Sequence, residues 1–395
     1  MTDPAAIEEQ YGSGAVQRRP VTIVRGEGAR LYDSEGRSYI DCSAAHGWAA
    51  LGHSHPEVSA AIQRQAARLT MLTESASNDV RARWFEQLVR ILGIEFPADE
   101  RGGLTRVQPA NSGAEAVEAA LKFARFVTGR TEVVAFSRAF HGRTFGALSA
   151  TAPSPRRDRF APLVPGFLHV AYGNFESADA SISDSTAAVI VEVIQGEAGI
   201  HEGSTEFLQG VERLCRDRGA LFIVDEIQTG FGRTGRWFAS GWHALAPDLV
   251  VLGKALGGGV PMGAAVWRER LGGFESGMHG STFAGAPLAC AASLATLQVI
   301  ERERLAERAH RLGTDVLEQL RSIGSGQVRE IRGRGLMIGV ELRGRVGPVL
   351  QGLLDRGVWA LPAGLNVLRL LPPLVIAEPD LTRAVRAIGE VFGND

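Results

Sequence analysis

The chain reads as an α/β protein built on a mostly parallel central sheet with helices on both faces. Apolar runs of strand length, 187–193 (AAVIVEV), 219–225 (GALFIVD) and 248–253 (DLVVLG), alternate with longer segments of helical period. Their near-continuous Val, Ile and Leu content marks strands buried on both faces, the usual setting of parallel strands. The stretch 26–41 (GEGARLYDSEGRSYID) differs and predicts a hairpin, two strand-like pieces joined around Ser34, Glu35 and Gly36. From about Ala289 the chain turns to long helices such as 301–323, then to short strands near 336–342 and 367–371. Both ends are therefore expected to form a smaller α+β unit, 1–55 with 289–395, flanking a large domain over 56–288.

At 395 residues, 45% hydrophobic and 22% charged, the chain can bury a substantial core and has the length of two domains. Its 42 Lys and Arg nearly balance 44 Asp and Glu. No broad basic field draws it to nucleic acid or anionic lipid, so small-molecule chemistry is expected. The opening MTDPAAIEEQ has neither a basic start nor an apolar run, and no later stretch approaches the roughly 18 apolar residues of a membrane span. A cytoplasmic location is expected. Cys42, Cys215 and Cys290 lie far apart without CxxC spacing, which disfavours a disulfide framework or a zinc knuckle and leaves them as buried bystanders.

Asp225 ends an apolar strand, where a carboxylate is costly to bury unless a cation sits against it. Alone it reads equally well as a turn or cap residue. Twenty-nine positions on, Lys254 follows another apolar run and precedes Gly257, Gly258 and Gly259, a stretch that lets backbone approach a ligand. Desolvation lowers a lysine's pKa toward that of a usable nucleophile. The pairing suggests a lysine bonded to a cofactor and an aspartate on its ring nitrogen. Segment 253–259 (GKALGGG) is no P-loop, because Asp248 stands where the first glycine belongs and no Ser or Thr follows the lysine.

An anion site is offered by 111–125 (NSGAEAVEAALKFAR), where Ser112 and Glu115 have capping-box spacing at the start of an Ala-rich helix. The same pattern also describes a well-capped core helix and nothing more. After the strand-like 131–136, Phe140, His141 and Arg143 stand together; Phe140 can lie on a planar cofactor and Arg143 can hold a carboxylate. His46, His53 and His55 raise a metal site, but no further ligand stands at zinc-like spacing, and Pro56 marks GHSHP as a turn into a helix. No Gly-x-Ser-x-Gly elbow is present, against a serine hydrolase.

Together these residues resemble the class III, or ornithine-type, family of fold-type I pyridoxal phosphate aminotransferases. The resemblance rests on 111–116 (NSGAEA), 140–144 (FHGRT), 192–197 (EVIQGE), 225–235 (DEIQTGFGRTG), 253–259 (GKALGGG) and 279–288 (HGSTFAGAPL), in family order. It implies that Lys254 is the Schiff-base lysine and Asp225 the partner of the pyridine nitrogen. Gln228 would neighbour the phenolic oxygen, Phe140 would stack on the ring, and His141 would belong to the same cofactor pocket. Ser112, Gly113 and Ala114 would cradle the phosphate, while Thr282 would reach the phosphate held by a neighbouring subunit, implying a homodimer. Two half-reactions follow: glutamate gives up its amino group and leaves as 2-oxoglutarate, then an aldehyde accepts that group, reversibly.

In the family a glutamate covers an arginine and swings aside for glutamate; Glu197 and Arg369 match those positions, and Arg143 would hold a remote carboxylate. Within the family the chain is most similar to acetylornithine aminotransferases and lysine-pathway relatives that act on acetyl-lysine or on lysine attached to an acidic amino-group carrier protein. The stretch 360–376 (ALPAGLNVLRLLPPLVI) carries that similarity. Ornithine and 4-aminobutyrate rank lower, since the tyrosine that holds ornithine aligns with Val16. Racemisation or aminomutation on the same scaffold, and a non-catalytic cofactor-binding relative, compete with transamination to explain the same residues. Val193, Ala284 and Ala286 depart from the usual proline, glycine and asparagine.

Overall fold

The computed structural model describes residues 4–16 and 18–393. Met1, Thr2 and Asp3 of the polar opening lie outside the described residues. A seven-stranded sheet runs, edge to edge, Leu104–Ala110, Gly263–Arg268, Leu249–Leu252, Leu221–Asp225, Thr186–Glu192, Glu132–Phe136 and Phe167–Val170. Gly263–Arg268 pairs antiparallel with both neighbours, and the remaining pairs are parallel. The expected α/β class is borne out, and each of the three apolar runs is a strand of this sheet.

Why those runs lack polar alternation is visible in the packing. Val189, Val191, Phe222 and Val224 join one apolar cluster, with Leu208, Val211 and Cys215 of the helix Thr205–Arg218. Ala188, Ile190, Leu221 and Ile223 join another, with Val117, Leu121 and Phe123 of the helix Gly113–Thr128. Successive strand side chains point to opposite faces, and helices cover both. Cys42, Cys215 and Cys290 are all buried free thiols.

The predicted hairpin is a three-stranded meander, Ile23–Glu27, Arg30–Asp33 and Ser38–Asp41, because Gly28 at φ 54 opens a second turn before the expected one. Val358–Trp359, from the far end of the chain, adds to it in parallel. A separate antiparallel sheet comprises Val328–Arg334, Met337–Leu342, Val367–Leu370 and Leu361–Ala363. The long C-terminal helical stretch divides into Pro287–Arg302 and Leu305–Ser322 at Arg304, whose φ of 51 breaks the helical path. No helix of the described residues is long and apolar enough to cross a membrane.

Gly313, mid-helix in Leu305–Ser322, lies against the turn at Gly335, so that a Cβ there would meet the Gly335 carbonyl oxygen at 2.0 Å. Replacing a helical glycine by alanine ordinarily stabilises by about 1 kcal/mol. Here the expected sign is reversed: Gly313→Ala should destabilise by about 1–3 kcal/mol through overpacking, read as a lower midpoint in thermal or denaturant unfolding.

Candidate active site

Five segments converge at the carboxyl ends of the parallel strands, the edge where open α/β sheets place ligands. They are the helix start after Ala110, the turn carrying Phe140 and His141, Glu192, Asp225, and Lys254 just past Leu252. A cavity of about 300 Å³ opens there, lined by Gly113, Ala114, Phe140, His141, Arg143, Glu192, Glu197, Asp225, Gln228 and Lys254 among others. A larger groove of about 810 Å³ lies along the C-terminal helix. Chemistry, not volume, singles out the site.

Asp225 is buried, and its Oδ2 lies 2.7 Å from His141 Nδ1 while Oδ1 accepts the Ile227 N–H at 3.0 Å. Burial disfavours a charged His141, but the bond to Asp225, its charge and that of Glu192 outweigh this and raise its pKa. The cation that a buried Asp225 requires is thus histidine, with Lys254 nearby. Lys254 is half-buried at a left-handed φ of 44, and its ammonium makes no hydrogen bond or ion pair among the described residues. Desolvation lowers its pKa against the opposing pull of Glu197 and Asp225.

The helix Gly113–Thr128 begins as its sequence predicts, with Ser112 Oγ accepting the Glu115 N–H at 3.2 Å. The return contact differs from a capping box, because Glu115 Oε2 reaches the amide of Asn111 at 2.9 Å. Ser112 is committed to the cap, while Gly113 and Ala114, whose first-turn amides have no partner within the helix, line the cavity. Gly113 packs closely on Ile227: a Cβ would come within 2.8 Å of its Cδ1, so the isoleucine side chain would have to shift. Gly257, Gly258 and Gly259 do not line this cavity, contrary to expectation; Gly258, at φ 57, turns the chain tightly over Thr296 of the neighbouring helix.

Arg369, fully buried on Val367–Leu370, donates to Glu197 through Nη1 at 2.6 Å and Nη2 at 3.2 Å. Burial pushes the Glu197 carboxyl up, but Arg369, Lys254 and Gln228 together bring it down to about 2. Gln228 bridges the pair, donating to Glu197 at 3.1 Å and accepting from Arg369 at 3.3 Å. Arg143 is exposed at the rim, 5.8 Å from the Phe140 ring, with no acidic partner among the described residues. Thr282 is exposed and does not line the cavity of its own chain. Val193, Ala284 and Ala286 are buried, while Val16 is 72% exposed.

Glu192, the first residue of the motif 192–197, has a part that its spacing did not assign. It is the register partner of Asp225 on the adjacent strand, and its Oε1 accepts the Phe140 N–H at 2.8 Å. The legible signal was an acidic residue ending a second apolar run. The three clustered histidines separate: His53 bonds Asp41 at 2.8 Å, His55 precedes the helix Pro56–Ala66, and His46 lies beside Arg369.

Residues 11–392 match the family model for class III aminotransferases. The chain belongs to that family. It is 44% identical over 98% of its length to the [LysW]-aminoadipate semialdehyde transaminase of Deinococcus radiodurans, covering 90% of that protein. To the acetylornithine aminotransferase of Methanothermobacter thermautotrophicus it is 41% identical, covering 98% of each chain. The ornithine aminotransferase of Toxoplasma gondii superposes with a TM-score of 0.91 at 36% identity, over 98% of this chain and 94% of that one. This class III enzyme is a pyridoxal phosphate-dependent aminotransferase, as the sequence resemblance implied.

The cavity fits that cofactor: free helix amides for the phosphate, an unpaired lysine, and a carboxylate whose two oxygens each hold one donor among the described residues. Burial pushes the Glu192 carboxyl up to about 7, with His141 opposing and Asp225 adding to the shift. A carboxyl whose folded pKa exceeds its unfolded value costs stability as pH rises between the two. Cofactor-free protein should therefore lose stability from about pH 4.5 to pH 7 by this term, and Glu192→Gln should remove that slope, measured by denaturant unfolding at pH 5 and pH 8.

Proposed function

We propose that this enzyme moves an amino group between an N-acylated ornithine or lysine, acetylornithine foremost, and 2-oxoglutarate, giving a semialdehyde and glutamate. The observation that carries the reading is the pair of unlike guanidinium sites, Arg369 covered by Glu197 and Arg143 unpaired at the rim. A substrate with its carboxylate far from the reacting amine is met by Arg143 while Arg369 stays covered. Glutamate, which reacts beside a carboxylate, needs Arg369 uncovered.

Pyridoxal phosphate, when bound, supplies an electron-withdrawing ring that makes a proton on the amine-bearing carbon removable. Lys254 would anchor the cofactor, and its Nζ would carry that proton, for which its lowered pKa suits it. Asp225, kept in place by His141 and the Ile227 amide, would hold the ring-nitrogen proton. Gly113 and Ala114 would hold the phosphate with Ser112 as their cap, Phe140 would form the wall against the ring, and Gln228 would serve its phenolic oxygen. Thr282, exposed and outside its own cavity, suits a role at the phosphate of a second copy in a cytoplasmic homodimer.

The similarity to a transaminase named for a LysW-bound substrate supports a second presentation of the same chemistry, a lysine derivative carried by an acidic protein. Free ornithine is a third candidate substrate, supported by the ornithine aminotransferase likeness. Acetylornithine, acetyl-lysine, ornithine, lysine and 4-aminobutyrate, each assayed with 2-oxoglutarate, separate these substrates. Acetylornithine should give the highest kcat/KM; ornithine ahead of it would overturn the assignment. Lys254→Ala should abolish turnover, and Arg143→Ala should raise KM for acetylornithine by about 10–100-fold, the loss of a charge-assisted contact.

A further inference from the structure

Ala44, Ala45, His46 and Gly47 form one left-handed turn, with φ of 41, 49, 63 and 86. Three of the four are not glycine, and that conformation is unfavourable for each of them. Strain of this kind persists only where surrounding structure imposes it.

Asp41 imposes it here. Its buried Oδ1 accepts the Ser43 N–H at 2.7 Å, the Ser43 hydroxyl at 2.6 Å and the Ala44 N–H at 3.1 Å, while Oδ2 holds His53. The Leu371 N–H donates to the Cys42 carbonyl at 2.8 Å, tying the start of this turn to the strand end that carries Arg369. The outcome is His46 Nδ1 at 3.4 Å from Arg369 Nη2.

An arginine nitrogen only donates, so Nδ1 accepts and the imidazole is the neutral form protonated on Nε2. Burial and then Arg369 keep the His46 pKa below its ordinary value, and the charged groups facing it are Arg369, Glu197, Lys254 and Arg19. Arg369 also donates to the Gly196 carbonyl at 3.2 Å. When Glu197 withdraws, the acceptors left to the guanidinium are Gly196, Gln228 and His46, and His46 alone holds Nη2.

We infer that His46 is a positioning residue that keeps the Arg369 guanidinium in place behind Glu197 once that glutamate has moved away, and so favours the half-reaction with a dicarboxylate. The inference rests on the proposed covering of Arg369 by Glu197. Its turn is the device that brings a neutral acceptor to a buried cation without adding a second negative charge to compete with substrate.

The test uses the cofactor-loaded enzyme, with glutarate binding measured by calorimetry and the two half-reactions by stopped flow. His46→Gly relieves the backbone strain while removing the acceptor, so a folding defect is not expected. His46→Asn keeps an acceptor on a residue that tolerates the left-handed region. His46→Gly should weaken glutarate by about 10-fold and slow the glutamate half-reaction more than the acetylornithine one by a similar factor, with His46→Asn restoring most of it. Equal loss in both half-reactions, or unchanged glutarate affinity while Arg369→Ala weakens it, overturns the role of His46 alone. Unchanged glutarate affinity in Arg369→Ala overturns the covering arrangement as well.

Discussion

A carboxylate at the end of a strand buried on both faces has to be paired, and most of this site follows from how Asp225 is paired. His141 meets one oxygen and the Ile227 amide the other, which fixes the carboxylate's orientation. Because Phe140 directly precedes His141, the same contact sets the aromatic wall of the cavity. Glu192, on the neighbouring strand in register with Asp225, takes the Phe140 amide and completes the frame. Three buried ionisable groups thus form one frame, in which His141 favours a charged Glu192 and Asp225 opposes it.

Against this rigid frame stands a second ionic group of a different kind. Glu197, in the turn after Ile194–Gln195, and Arg369, on the strand Val367–Leu370, are 172 positions apart and are joined by two hydrogen bonds with Gln228 between them. Glycine at 196 leaves room for this arrangement, since a Cβ would fall 1.9 Å from Gln228 Oε1 and displace that side chain. Arg369 is fully buried whereas the Glu197 side chain is 33% exposed, so the arginine is the fixed member and the glutamate the one free to leave. The site therefore combines two distinct ionic constructions, one with every member buried and one with a partly exposed carboxylate.

Much of the fold was legible because its signals are local. Apolar runs without alternation located the buried strands, Ser112 and Glu115 located a helix start, and an aspartate and a lysine at strand ends located the chemistry. The hairpin over 26–41 was half right: Gly36 was weighed as a turn residue and Gly28 was not. Gly257 to Gly259 was misplaced, since three consecutive glycines report conformational freedom without saying which neighbour requires it.

By itself the sequence determined the class of fold, the family and the residues from which a cofactor site could be made, all carried by period, spacing and ordered motifs. Which histidine serves Asp225, that Glu192 joins it, and that His46 meets Arg369 while His53 meets Asp41 were decided only by the tertiary structure. Apart from His53 with Asp41, these contacts join residues 33 to 323 positions apart, and they depend on strand order and on a strained backbone turn. No local pattern records which strand lies beside which, because that is set by the packing of both sheet faces at once.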